Sequence, residues 1–106
     1  MRYKDYVRYK DYTTIASKLA PIANKMEEYD IHVLNMMRIK DDEYELHITT
    51  KNFQDFAESV GCKITVEERP SPIYDTEISF VYDGCRFFAI LSKGEEDYNG
   101  NSLREQ

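Results

Sequence analysis

The chain has 106 residues, 42% of them apolar and 32% charged, with 14 Lys and Arg against 20 Asp and Glu for a net charge of -6. That is enough apolar matter for one modest core, and too much for a disordered chain. The acidic balance argues against nonspecific binding to nucleic acid or an anionic membrane surface, and it suits docking to a basic partner.

The N-terminus carries a tandem repeat, Arg2-Tyr3-Lys4-Asp5-Tyr6-Val7 followed by Arg8-Tyr9-Lys10-Asp11-Tyr12-Thr13. Two copies do not make a solenoid. Residues 1–12 read either as an aromatic-basic arm using Tyr3, Tyr6 and Tyr9 on an anionic partner, or, in preference, as a helix extension packed on the body or a duplicated, partly ordered terminus. The stretch has no apolar h-region, so no signal peptide is expected. No apolar run is long enough to span a bilayer. A cytoplasmic location is expected.

A helix follows, with Thr13 or Thr14 as N-cap. Tyr12, Ile15, Leu19, Ile22, Met26 and Tyr29 fall on one face and continue in phase across Pro21, which predicts a single helix kinked near residues 17–20. Residues 31–50 read as a hairpin around Asp41-Asp42. Apolar matching pairs Ile39 with Tyr44, Met37 with Leu46, Asn35 with Ile48 and Val33 with Thr50. The same register sets Lys40 against Glu43, Arg38 against Glu45 and Met36 against His47 on a solvated face.

A short helix over 52–60 buries Phe53, Phe56, Ala57 and Val60, with a capping-box spacing of Asn52 and Asp55 and Gly61 as its C′ residue. A strand over 62–68 points Cys62, Ile64 and Val66 inward. The connection Arg69-Pro70-Ser71-Pro72 is stiff and ends it.

Residues 75–92 form the firmest element. Asp83-Gly84 suits a type I′ turn, which sets Tyr82 opposite Cys85, Phe80 opposite Phe87, Ile78 opposite Ala89 and Thr76 opposite Leu91. The other face pairs Val81 with Arg86, Ser79 with Phe88 and Glu77 with Ile90. Residues 94–106 lack apolar periodicity and are expected to be disordered, leaving 1–93 as one domain. The expected fold is α+β and two-layered: an antiparallel sheet of about five strands with two helices, in the order αββαβββ. Strand order stays open.

Catalytic signatures are absent from the sequence. The glycines at 61, 84, 94 and 100 form no phosphate loop, and there is neither a GxSxG motif nor a zinc-ligand cluster. No enzyme activity, cofactor or metal is expected. Cys62 and Cys85 have no metal or redox spacing and read as reduced, buried thiols, with a disulfide between them left open; Cys85 reads as inert. The acidic runs at 41–43 and 95–97 read as solvated charge, with phosphate mimicry as the minority reading.

The candidate partner-binding residues are Val81, Phe88, Ile90, Glu77 and Arg86, because that hairpin face stays exposed if both helices cover the other one. Tyr3, Tyr6 and Tyr9 of the arm join them. From Thr50 to Ser92, the Phe-rich helix, Gly, strand and Tyr-Asp-Gly hairpin ending in FFAILS resemble small accessory proteins of phages and prophages of Gram-positive bacteria. Size, acidity and tyrosine content are similar to anti-CRISPR and other anti-defence proteins. The resemblance spans under half of the chain and carries over no functional residue. It implies a stoichiometric, non-enzymatic inhibitor that blocks a basic surface of a host defence complex in the bacterial cytoplasm, with a homodimer left open. The alternative is a small-ligand or nucleotide binder using Tyr and Arg side chains.

Overall fold

The computed structural model describes residues 8–92. The Asp83-Gly84 turn joins β4 (Thr76–Tyr82) to β5 (Cys85–Leu91). Asp83 has φ 49° and Gly84 φ 77°, the left-handed pair that a type I′ turn requires. The register is the expected one, from Tyr82 opposite Cys85 to Thr76 opposite Leu91. Gly84 is needed for a second reason. A Cβ there would lie 3.0 Å from the carbonyl oxygen of Asp42, in the turn of the first hairpin.

That hairpin comprises β1 (Val33–Lys40) and β2 (Glu43–Ile48), and the remaining strand is β3 (Thr65–Glu68). The spatial order is β1-β2-β5-β4-β3. The class is α+β, as expected, but the sheet is mixed: β2 and β5 run parallel, with Tyr44 beside Cys85 and Leu46 beside Phe87. Cys85, Phe87, Ala89 and Leu91 are all buried on one face, and β5 is the central strand, with a neighbour on each edge. β4 supplies one through the hairpin and β2 supplies the other.

Among the described residues, all helices lie on the face that carries these residues. α1 (Tyr9–Leu19), a 3₁₀ turn (Ala20–Ile22) and α2 (Ala23–Glu28) form one bent run, with Pro21 opening the tighter turn where its missing N–H is least costly. Ile15 and Ile22 are buried, and Leu19, Met26 and Tyr29 pack beside them, so the apolar face does continue across the proline. The helix starts earlier than expected. Thr13 and Thr14 are not caps; their hydroxyls donate to the carbonyl of Lys10 inside the helix. Tyr12 is half exposed, and Asp11 is the buried residue of that turn.

α3 (Phe53–Ser59) fills the rest of the layer. Its expected capping box does not form: Asn52 is left-handed at φ 64° and its amide donates 3.0 Å to the carbonyl of Tyr29, tying α3 to the end of α2. Gly61, at φ 81°, closes the helix with Cys62 N–H on Ala57 and Gly61 N–H on Glu58, the Schellman pattern. Phe53 and Phe56 meet Phe80 edge-on at 5.4 and 5.7 Å, while Phe80 and Phe87 stack at 4.9 Å. β3 is shorter than expected, and Val66 is exposed because the edge lies beyond the helices. Cys62 is half-buried, its thiol donating to the carbonyl of Val81.

The first hairpin departs from expectation in register. Irregularities lie between Val33 and Asn35 and between Arg38 and Lys40, so that Met36 opposes Leu46, Arg38 opposes Tyr44 and Met37 opposes Glu45. Lys40 keeps Glu43. A β-bulge places two residues against one and reverses facing beyond it. Ile39 is therefore turned out and Arg38 turned in beneath α1, 10% exposed. Burying a guanidinium demands a carboxylate. Asp11, 2% exposed, supplies it with its Oδ2 at 3.7 Å from Arg38 Nε. The same oxygen accepts the Arg8 backbone N–H at 2.8 Å, and Oδ1 accepts the Tyr44 hydroxyl at 3.0 Å. Burial alone would raise the Asp11 pKa, but the Arg8 and Tyr44 donors outweigh it and hold the carboxyl below its ordinary value.

Removing one member of this cluster should be worse than removing its two charges together. Asp11→Leu is expected to lower unfolding free energy by about 3 kcal/mol in urea, and Asp11→Leu with Arg38→Met to recover most of that loss. The Asp11 contribution is present above the unfolded carboxyl pKa and is lost as pH falls through the lower folded value.

Candidate functional site

Strand alternation sends β2 residues Glu43, Glu45 and His47, β5 residues Arg86, Phe88 and Ile90, and β4 residues Glu77, Ser79 and Val81 to the face without helices. The parallel pairing then sets Glu45 beside Arg86 and His47 beside Phe88. Arg86 donates from one guanidinium nitrogen to Glu45 at 2.8 Å and from the other to Glu77. Glu77 stands four residues along β4 from the cross-strand partner of Arg86, so the side chain runs along the sheet and over Phe88, 5.4 Å from its ring centre. Arg69, from the connection after β3, approaches the other Glu77 oxygen at 3.9 Å. Burial disfavours the charged guanidinium of Arg86, yet Glu77 and Glu45 more than compensate and raise its pKa.

His47 stacks on Phe88 with ring centres 4.8 Å apart and planes 10° from parallel. Partial burial, reinforced by the nearby Arg69 cation, lowers the His47 pKa from its ordinary value. The imidazole is therefore a neutral, flat, half-buried ring at pH 7. Beside this patch, Val81 is 63% exposed and Ile39 is 41% exposed. They flank a depression of about 310 Å³ whose lining also includes Glu43, Tyr44, Gly84 and Arg86.

Of the residues singled out from sequence, Val81, Phe88, Ile90, Glu77 and Arg86 do share one face, with Val81 open to solvent and the others half-buried. Tyr9 is 84% exposed but sits on α1, in the opposite layer. Tyr3 and Tyr6, like the tail at 94–106, lie outside the described residues. Sequence reasoning missed Glu45, His47, Arg69 and Ile39 as neighbours of this face. Alternation along the first hairpin puts Glu45 and His47 on its outward side, but nothing in the sequence marks β2 as the partner of β5. Ile39 was hidden by its bulge.

Other chemistry finds less support. Burial raises the pKa of both Cys62 and Cys85, which keeps them as thiols at neutral pH. His32 meets Asp30 at 2.9 Å on the open surface. Among the described residues no three His, Cys, Asp or Glu side chains group as metal ligands. A polar hollow of about 280 Å³ at the start of α1 mixes Arg8 and Lys10 with Asp11, Asp41 and Asp42, so its charges largely cancel.

The His47 ring gives a direct check on this geometry. Its NMR titration midpoint is expected below 6.5, and Arg69→Gln is expected to move it upward by removing the facing cation. Because the folded value is the lower one, the His47 contribution to stability is full above pH 6.5 and declines as pH falls through the folded midpoint. Comparison of the chain with protein-family models, with curated proteins and with solved structures returned no match.

Proposed function

We propose that the chain is a non-enzymatic protein-interaction module that docks a larger protein through the open sheet face and acts by covering that protein's surface. The observation that carries this reading is the preorganised patch of Arg86, Glu45, Glu77, His47 and Phe88 bordered by exposed Val81 and Ile39. Aromatic and arginine side chains held rigid before binding lose little entropy on docking, and they are the types that concentrate binding energy. The net charge of -6 would steer the encounter toward a basic surface. The resemblance to phage anti-defence proteins extends the proposal to an inhibitor of a host defence complex, in the bacterial cytoplasm.

A nucleotide could also stack on the His47–Phe88 pair. That reading is weaker, because both arms of Arg86 already hold carboxylates and a phosphate would have to displace one.

The test uses the full chain as bait in lysate of the source cell, beside Val81→Asp and Tyr9→Asp. Both positions are exposed, so both variants should keep the fold by circular dichroism. A stoichiometric partner retained by Tyr9→Asp and weakened tenfold or more by Val81→Asp is the expected result. Loss with Tyr9→Asp and retention with Val81→Asp would move the interface to the helical layer and end this proposal.

A further inference from the structure

We infer that the partner places a basic side chain, arginine or lysine, in the depression between Ile39 and Val81, its stem against those two residues and its charged head on Glu43. This rests on the interaction reading above and gives it a partner chemistry. The walls are apolar where Ile39 and Val81 stand, and Gly84 contributes only backbone. Arg86 lines the depression too, but its guanidinium is drawn along the sheet to Glu45 and Glu77, which neutralise it. The other charged side chain lining the depression, among the described residues, is Glu43, which pairs with Lys40 at 3.4 Å, the two being 47% and 69% exposed. An ion pair so exposed contributes little and exchanges readily.

Charge and shape together select the occupant. A plain apolar side chain would cover Glu43 without offering a donor, which is unfavourable for a carboxylate leaving water. An acidic or phosphorylated group would meet Glu43 directly, with Asp41 and Asp42 in the adjoining turn. A long side chain with an apolar stem and cationic tip satisfies walls and mouth at once. The bulge at Ile39 makes this site: with Lys40 kept opposite Glu43 and no bulge, Ile39 would oppose Tyr44 and face the helices, and the depression would lose a wall.

The experiment titrates N-acetyl-Gly-Arg-Gly-amide into the ¹⁵N-labelled full chain, with the Leu and Glu tripeptides in parallel. Saturable shifts with the Arg peptide, centred on the amides of Ile39, Glu43, Val81 and Gly84 and absent with the Glu peptide, are expected. Glu43→Gln should weaken that binding roughly threefold to fivefold, the scale of one exposed charge pair. Equal shifts from Leu and Arg peptides, or Arg-peptide shifts scattered over acidic residues such as Glu27 and Glu58, would overturn the inference, as would an unchanged response in Glu43→Gln. Since no macromolecular partner enters this titration, its failure leaves the docking reading to be judged separately by the Val81→Asp capture.

Discussion

A parallel pair of strands cannot be closed by a tight turn, so β2 and β5 meet only after the chain has passed through α3, β3 and β4. Much else follows from this seam. On the helix side it sets Tyr44 and Leu46 beside Cys85 and Phe87, which with Ile48 and Ala89 join Ile15, Ile22, Phe53 and Phe56 in one core. At its end it brings the two hairpin turns together, with Tyr44 N–H donating 3.0 Å to the carbonyl of Gly84. Lys18 then ties α1 to the same corner through the carbonyl of Asp83, 3.1 Å away. On the outer side it builds the Glu45–Arg86 pair and the His47–Phe88 stack. Core and candidate surface are two faces of one pairing.

The first hairpin obeys a second constraint, which concerns charge. The helix-side row needs something opposite Tyr44, and the chain offers Arg38. A buried guanidinium is tolerable only with acceptors facing it, and the carboxylate it pairs with needs donors in turn. Asp11 faces Arg38 Nε at ion-pair distance, 3.7 Å, without a hydrogen bond to it, and Asp41 approaches the guanidinium at 3.5 Å; Asp11 also closes the start of α1 through the Arg8 N–H. The second copy of the hexapeptide repeat is thereby explained in part. Its Asp11 is a core residue, its Arg8 a cap, and its Tyr9 a solvent-facing neighbour of both.

These two constraints mark where the sequence was legible and where it was not. The central hairpin could be read in full because one local signal, Asp83-Gly84, and one alternation, Ile78 to Leu91, demand the same register. The helical face across Pro21 was legible for a similar reason: its period survives the 3₁₀ turn. In the first hairpin apolar matching sent every charge outward, and it failed because the partner of Arg38 lies in a different element, 27 positions earlier at Asp11. Tyr12 was assigned to the buried face on its apolarity; the polar cluster placed Asp11 there instead. The parallel seam left no local mark at all, since strand neighbours joined by a long crossover carry no turn to announce them. The surface residues flagged on β4 and β5 were found because alternation alone defines their face, whereas Glu45, His47 and Arg69 reach it through that unmarked pairing and through the loop after β3.

The outer face also separates two tasks that charged surfaces often mix. Glu45, Glu77, Arg69 and Arg86 are largely satisfied among themselves, so they give a partner shape and rigidity more than attraction. A charge already paired returns little when a new partner must first displace the old one. Long-range attraction must then come from carboxylates that water, not protein, surrounds, such as Asp42, exposed at the turn. Short-range affinity falls to the apolar groups left uncovered, Val81 and Ile39, which the bulge and the hairpin register place on either side of Glu43. Steering at the rim and anchoring in the depression are therefore assigned to different residues.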